Sequence, residues 1–157
     1  MSTHDEIRDA VVGDAVAIAQ LLSELNRDEA IDIVASPEAI AHALFASNRA
    51  VNLRALVAVA QGAPCGVLLY YPGYDTLSAT EGYHLADMVV THAHRRSGIG
   101  RALFTALAER ACADDKHWVS LTALRGNAAA RAFYLSLGMT PVDVDFYAIG
   151  SRALQAL

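Results

Sequence analysis

The order of patterns in this sequence predicts a mixed α/β fold, with a mostly antiparallel central sheet of about six to seven strands flanked by about four helices. Three observations carry that expectation. Residues 53–60, 65–71 and 83–90 are β-rich runs in close succession, joined by segments without a helical period, as in a meander. From residue 83 the order becomes strand, helix, strand, helix, strand, which makes the sheet mixed rather than doubly wound. The chain has 157 residues, 54% of them hydrophobic, which is enough for one core in a single domain over 1–157.

Taken in order, residues 7–12 form a short strand. Gly13 and Asp14 supply a turn and an N-cap for a helix to about Leu25, with Val16, Ala19, Leu22 and Leu25 as its inward stripe. Ser36 opens a second helix, with Pro37 at the first helical position, where the missing N–H costs nothing; this helix runs to about Ala46. Gln61, Gly62, Ala63 and Pro64 read as a hairpin connection, and residues 74–82, after Pro72 and Gly73, read as a loop. Residues 85–90 are apolar apart from Asp87, as in a buried strand, and strict alternation puts Asp87 on the face of Leu85 and Val89. Ile99, Leu103, Ala106, Leu107 and Ala111 draw one apolar stripe on a third helix. Residues 117–122 are the next strand, 127–137 the next helix with Gly138 ending it, and 141–149 one or two closing strands.

Arg95-Arg96-Ser97-Gly98-Ile99-Gly100 falls where a strand stops and a helix starts. A helix N-terminus presents N–H groups without intrahelical acceptors, and its dipole adds positive potential. No Asp or Glu occurs from Thr91 through Ala108, and Arg95, Arg96 and Arg101 flank the turn, although the whole chain carries a formal charge of -5. The stretch therefore reads as an anion site. A nucleotide-hydrolase phosphate loop would need a lysine that is absent, and the dinucleotide fingerprint would need a glycine where Leu103 stands. A nicotinamide dinucleotide remains an alternative ligand, and a tight turn without any ligand remains another.

That hexapeptide resembles the Arg/Gln-x-x-Gly-x-Gly/Ala signature of the GNAT superfamily of N-acetyltransferases. Residues 127–139, Asn-Ala-Ala-Ala-Arg-Ala-Phe-Tyr-Leu-Ser-Leu-Gly-Met, resemble the family's following segment, in which an Asn opens a helix and Phe-Tyr precedes a Gly-terminated end. The resemblance implies the GNAT acetyltransferase fold and transfer of acetyl from acetyl-CoA, the cosubstrate, to a primary amine. On matching positions it implies coenzyme contacts from Met88, Val89 and Val90, from Arg95, Arg96, Ser97, Gly98, Ile99, Gly100 and Arg101, and from Asn127, Arg131 and Tyr134. It makes Tyr134 the acid that protonates the departing thiolate, and since the family often dimerises it implies a homodimer. One departure is Arg96, where many members carry Gly; Arg is tolerable there if its φ is negative.

A second departure concerns the base. Many amine acetyltransferases of the family carry Glu-Asp where this chain has Ala86-Asp87, so a carboxylate base at position 86 is excluded and Asp87, Glu81 or ordered water are the candidates. Asp87 also attracts attention without the resemblance, because a carboxylate inside an apolar strand is costly unless paired or functional. Residues 66–75 with 83–87 are similar to the diamine and polyamine acetyltransferase branch, which implies a cationic acceptor: a diamine, polyamine or basic amino acid. Tyr70, Tyr71 and Tyr74 offer ring faces to an ammonium, while Asp87 and the acids between Asp28 and Asp32, Glu29 among them, offer counter-charge. In the first forty residues nine acids face two bases, which suits a cationic substrate at the N-terminal half. The competing function is a coenzyme-binding module that kept the fold and lost catalysis, with the alanine at position 86 as its motive.

Composition bounds the rest. No apolar run approaches a membrane span and the first residues lack a basic and apolar export signal, so a cytoplasmic protein without membrane contact is expected. A charge of -5 leaves no extended basic face for nucleic acid. Cys65 and Cys112 have no metal or redox spacing and read as buried small apolar residues. His92 and His94 share a strand face but have no third ligand nearby in sequence; no metal is expected, and both are assigned to the mouth of the anion site.

Overall fold

Short connections decide the topology of the sheet. In this computed structural model, which describes residues 6–49 and 51–156, five strands lie side by side in chain order: β1 (Glu6–Asp9), β2 (Arg54–Ala60), β3 (Ala63–Asp75), β4 (Thr80–Val90) and β5 (Val119–Leu121). The β2–β3 turn consists of Gln61 and Gly62, with φ of 53° and 80°; two left-handed residues match the twist of a hairpin, so Ala63 and Pro64 already belong to β3. The next turn is tied by Asp75, whose carboxylate accepts from Leu77 N (3.0 Å) and Ser78 Oγ (2.6 Å). Both strands therefore run well into the segment 74–82, which the sequence reads as a loop. The first four strands pair antiparallel, and β4 pairs with β5 in parallel after a helical crossover.

The helices are α1 (Ala15–Asp28), α2 (Pro37–Phe45), α3 (Ile99–Ala113), α4 (Ala128–Ser136) and the one-turn α5 (Ser151–Leu154). Ser36 Oγ accepts from Ala39 N (3.3 Å) to start α2. In α1 the inward residues are Ala15, Ile18, Ala19, Leu21 and Leu22, while Val16 is 55% exposed, against expectation. The helix phase is set by buried Asp14, which takes both Arg8 nitrogens (2.7 and 3.1 Å) and Val11 N (2.8 Å). The Arg8 guanidinium holds the Asp14 carboxyl below the usual carboxylate range.

The sheet separates two apolar layers. Leu56, Leu68, Tyr70, Tyr83 and Leu85 face Ile99, Leu103 and Leu107 of α3 on one side. Val57, Val67, Leu69 and Val89 face Ile18, Leu21 and Leu22 of α1 and Leu44 of α2 on the other. Burying each such Leu or Ile contributes about 1.5–3 kcal/mol. Gly73 and Gly82 are cross-strand partners, and the Trp118 ring lies against both: a Cβ on Gly82 would fall 2.1 Å from its Cδ2, and one on Gly73 2.8 Å from its Cη2. Cys65 is buried as expected, but Cys112 is exposed, because the apolar stripe of α3 runs through Leu107 and Ala111 and leaves Cys112 outside it.

The chain divides into two compact units, 1–122 and 123–157. In the second, α4 has the ends its sequence predicts. Asn127 Oδ1 accepts from Ala130 N (3.0 Å), and Gly138, at φ 86°, closes the helix with Gly138 N on Leu135 O (3.0 Å) and Met139 N on Tyr134 O (3.2 Å). Residues 141–149 form no strand, so among the described residues the sheet has five strands rather than the six to seven expected. Among the described residues no helix is long and apolar enough to cross a membrane.

Candidate active site

The anion loop is built where β4 runs out. After Val90 a short 3₁₀ turn, His92–His94, is closed by Thr91 Oγ1 against His94 Nδ1 (2.9 Å), and Ser97 Oγ donates to His94 O (2.6 Å). Gly98 is the N-cap of α3 with φ 93°, a conformation that favours glycine. Ala102 N donates to Gly98 O (3.0 Å), so Ile99 and Gly100 stand before that intrahelical bond, with N–H groups directed out of the helix end. Arg101 is in the same turn, and a groove of about 490 Å³ runs from Gly98 and Arg101 past Ala102 and Thr105 to Ile7. This donor set fits a diphosphate at the Gly98–Arg101 end of the groove, whose far end is lined by Glu109.

One expectation about the arginines is corrected. Arg96 has φ 61° rather than a negative value, because the turn needs left-handed residues at both 96 and 98; a side chain there costs about 1–2 kcal/mol. The Arg95 side chain is held by protein: Nε donates to Val90 O (2.9 Å) and Nη2 to Asp28 Oδ2 (2.7 Å), with Glu24 Oε1 at 3.7 Å. His92 joins the same cluster through Nδ1 to Glu24 Oε1 (2.5 Å), its backbone N to the same oxygen (3.1 Å) and Nε2 to Asp28 Oδ1 (3.5 Å). Arg95 holds the Asp28 carboxyl below its usual range. The loop is thereby pinned to the C-terminal half of α1. Nothing in sequence announces this, since the partners are 67 and 68 residues apart; the only hint is that Glu24 and Asp28, four apart, share a helix face.

Asp87 lies on a β-bulge. Leu69 faces Asp87 and Tyr70 faces Leu85, leaving Ala86 as the extra residue. Leu85, Met88 and Val90 pack on the α3 side, whereas Ala86 and Val89 pack on the α1–α2 side. Alternation from Val89 puts Asp87 with Ala86 on the α1–α2 side, so the expected common face with Leu85 is corrected: the bulge reverses the phase of the strand. Burial, and then the charge of Glu29, push the Asp87 carboxyl above the usual carboxylate range. Among the described residues its carboxylate has no hydrogen-bond or ion-pair partner. Glu29 is placed by the end of α1, where its N–H reaches Leu25 O (3.0 Å) and Ala30 turns left-handed.

The remaining candidates are not all brought together. Tyr74 faces Glu81 across the hairpin, six positions along β4 from Asp87, which at about 3.3 Å per residue is roughly 20 Å away. Glu81 is exposed there and paired with Lys116. Tyr70 is fully buried, edge-on to Tyr83 (centroids 5.0 Å apart), and its hydroxyl accepts from Arg110 Nη1 (3.0 Å), so its ring offers no face to an ammonium. Tyr71 is half-buried against His84, with centroids 5.1 Å apart. In the second unit, Asn127 spends its side chain on the helix cap, Arg131 Nη1 donates to Arg125 O (3.4 Å), and the Tyr134 ring stands edge-on to Phe133 (5.4 Å).

A family profile described as Acetyltransferase (GNAT) family matches residues 18–139. An L-ornithine N5-acetyltransferase of Arabidopsis thaliana is 30% identical over 73 residues, 46% of this chain and 32% of that protein, so the match spans about a third of the relative's length. An integron cassette protein from the mobile metagenome of V. cholerae has a similar structure (TM-score 0.82, 22% identity), covering 99% of this chain and 98% of that one. So do a ribosomal-protein-alanine N-acetyltransferase of Brucella melitensis biovar Abortus 2308 (TM-score 0.77, 24% identity; 93% and 99% covered) and an aminoglycoside acetyltransferase from an uncultured soil metagenomic sample (TM-score 0.78, 21% identity; 96% and 99% covered). At these identities the structural likenesses establish the fold.

Proposed function

This chain belongs to the GNAT family of acetyltransferases, and from that premise we propose that it moves an acetyl group from acetyl-CoA to a primary amine of a small cationic molecule: a diamine, a polyamine or a basic amino acid. The observation that carries the acceptor class is Asp87, a half-buried carboxylate without a partner among the described residues, with the charge of Glu29 felt beside it. A relative named for acetylating the N5 amine of L-ornithine supports the same class.

In this reading the donors at the start of α3, with Arg96 and Arg101, hold the diphosphate of the cosubstrate, and Arg95 orders the loop through Asp28 rather than binding phosphate. An amine with pKa near 10.4 must lose a proton before it attacks, which costs about 4.6 kcal/mol at pH 7. Asp87, made more basic by burial and by Glu29, takes that proton directly or through water, since position 86 is alanine. The C–N bond forms as the C–S bond breaks, and the Tyr134 phenol returns a proton to the departing thiolate.

The test is a thiol-release assay across diamines, polyamines, basic amino acids and neutral amines, with Asp87→Asn and Tyr134→Phe alongside. Cationic amines should be preferred, and Tyr134→Phe should bind acetyl-CoA normally while losing about 10²–10⁴ in turnover. Preference for neutral amines would overturn the acceptor class. Stabilisation by acetyl-CoA without turnover on any amine would favour the binding module instead, for which Ala86 is the motive.

A further inference from the structure

We propose that His84 is the outlet of the proton path: the proton that Asp87 takes from the acceptor amine passes through water to His84 Nε2 and from there to solvent. The inference rests on the acetyltransferase reading above and assigns a task that reading leaves open. A protonated amine and a thioester give an amide, a thiol and one free proton, so every turnover must export a proton. The C–N bond replaces the C–S bond, one amine proton goes to Asp87, and a second balances the proton that Tyr134 gives to the thiolate. Asp87 is half-buried and has no hydrogen-bond partner among the described residues to which the exported proton could pass directly.

The strand puts a proton acceptor within reach. Tyr83 and Leu85 belong to the apolar layer under α3, so His84 between them lies on the opposite face of the sheet, the one Asp87 takes up after the bulge. The two residues are three positions apart on β4, roughly 10 Å at about 3.3 Å per residue, a gap that their side chains and a short chain of waters can span. On that face the apolar residues of α1 and α2 pack against Leu69 and Ala86. One row further along come Tyr71, His84 and Ser120, cross-strand partners on β3, β4 and β5 and all half-buried, so this polar row touches solvent.

The ring is held with one nitrogen committed and the other available. His84 Nδ1 pairs with Ser120 Oγ at 3.0 Å, and the ring lies against Tyr71 with centroids 5.1 Å apart. Among the described residues Nε2 has no partner. Burial holds the imidazole below its ordinary pKa, so near neutral pH it is uncharged and able to accept a proton. Its cross-strand neighbours are a phenol and a hydroxyl rather than carboxylates, so neither holds the proton once it has been accepted.

The thiol-release assay on the full chain, with its best amine, tests the assignment. His84→Gln keeps a polar group beside Ser120 but carries no proton: kcat should fall about tenfold to a hundredfold while the acceptor KM stays within about twofold. Added imidazole should raise the kcat of His84→Ala about fivefold or more, a rescue that a merely structural role would not show. If the variants fold poorly, ring-nitrogen NMR of the wild type decides, since Nε2 should be the unprotonated nitrogen near neutral pH. A proton on Nε2, an unchanged kcat in His84→Gln, or a loss that imidazole does not rescue overturns the proposal. Turnover lost in Asp87→Asn but kept in His84→Gln would overturn this inference alone; a wild type that acetylates no amine would overturn the acetyltransferase reading together with it.

Discussion

Gly82→Ala tests the packing of the β3–β4 hairpin against the start of β5. The added methyl would sit 2.1 Å from Trp118 Cδ2, whereas carbon atoms rest at about 3.5–4.0 Å, so the ring or the strand must give way by well over an ångström. Retreat is restricted, since the same ring also lies against Gly73. The expected cost is at the upper end of overpacking, about 3 kcal/mol, or roughly 6–12 °C in Tm for a chain of this length. Gly73→Ala should cost less, about 1–2 kcal/mol, because its methyl meets the rim of the ring at 2.8 Å. Urea unfolding followed by circular dichroism, with constant m-values, measures both. The diagnostic step is to repeat Gly82→Ala in a Trp118→Ala background, where the obstacle is gone and the cost should fall below about 1 kcal/mol. Equal costs in the two backgrounds would show that the glycine is there for some reason other than the indole.

Three further outcomes follow from the site. At Arg96, whose φ is 61°, substitution to Gly should be neutral or stabilising while Ile should cost about 1–2 kcal/mol; equal unfolding midpoints would refute the left-handed backbone. Asp87→Asn should stabilise the fold by about 0.5–2 kcal/mol at neutral pH while raising the acceptor KM. The raised Asp87 pKa means the native state keeps its proton longer than the unfolded chain; the gain over wild type should therefore vanish below about pH 3.8, where both states are protonated, and grow as pH rises through the native value. A pH-independent difference would contradict it. Asp28→Asn removes a partly exposed ion pair, so stability should change by less than about 1 kcal/mol, yet acetyl-CoA affinity, measured by calorimetric titration, should weaken about threefold to tenfold as Arg95 and the loop lose their tether; an unchanged Kd would sink that role.

Features settled within a few residues were legible in the sequence. Ser36-Pro37 starts α2, Asn127 caps α4 and Gly138 closes it with left-handed backbone, because in each case the decisive hydrogen bonds span three to five positions. The strand-turn-helix around Gly98 and Gly100 was legible for the same reason, and its motif carried the family. Interactions between distant positions were not. The face on which Asp87 lies depends on β4 losing register against β3, and no count along one strand can reveal a bulge that pairing creates. Val16 turned outward because Arg8 anchors Asp14, Arg95 turned to Asp28, and Gly73 and Gly82 acquired their purpose only when Trp118 came to rest on them. Residues 141–149 show the limit most plainly: alternation states that a segment can be a strand, but a strand exists only where a second backbone supplies its bonds, and tertiary structure alone decides whether one is there.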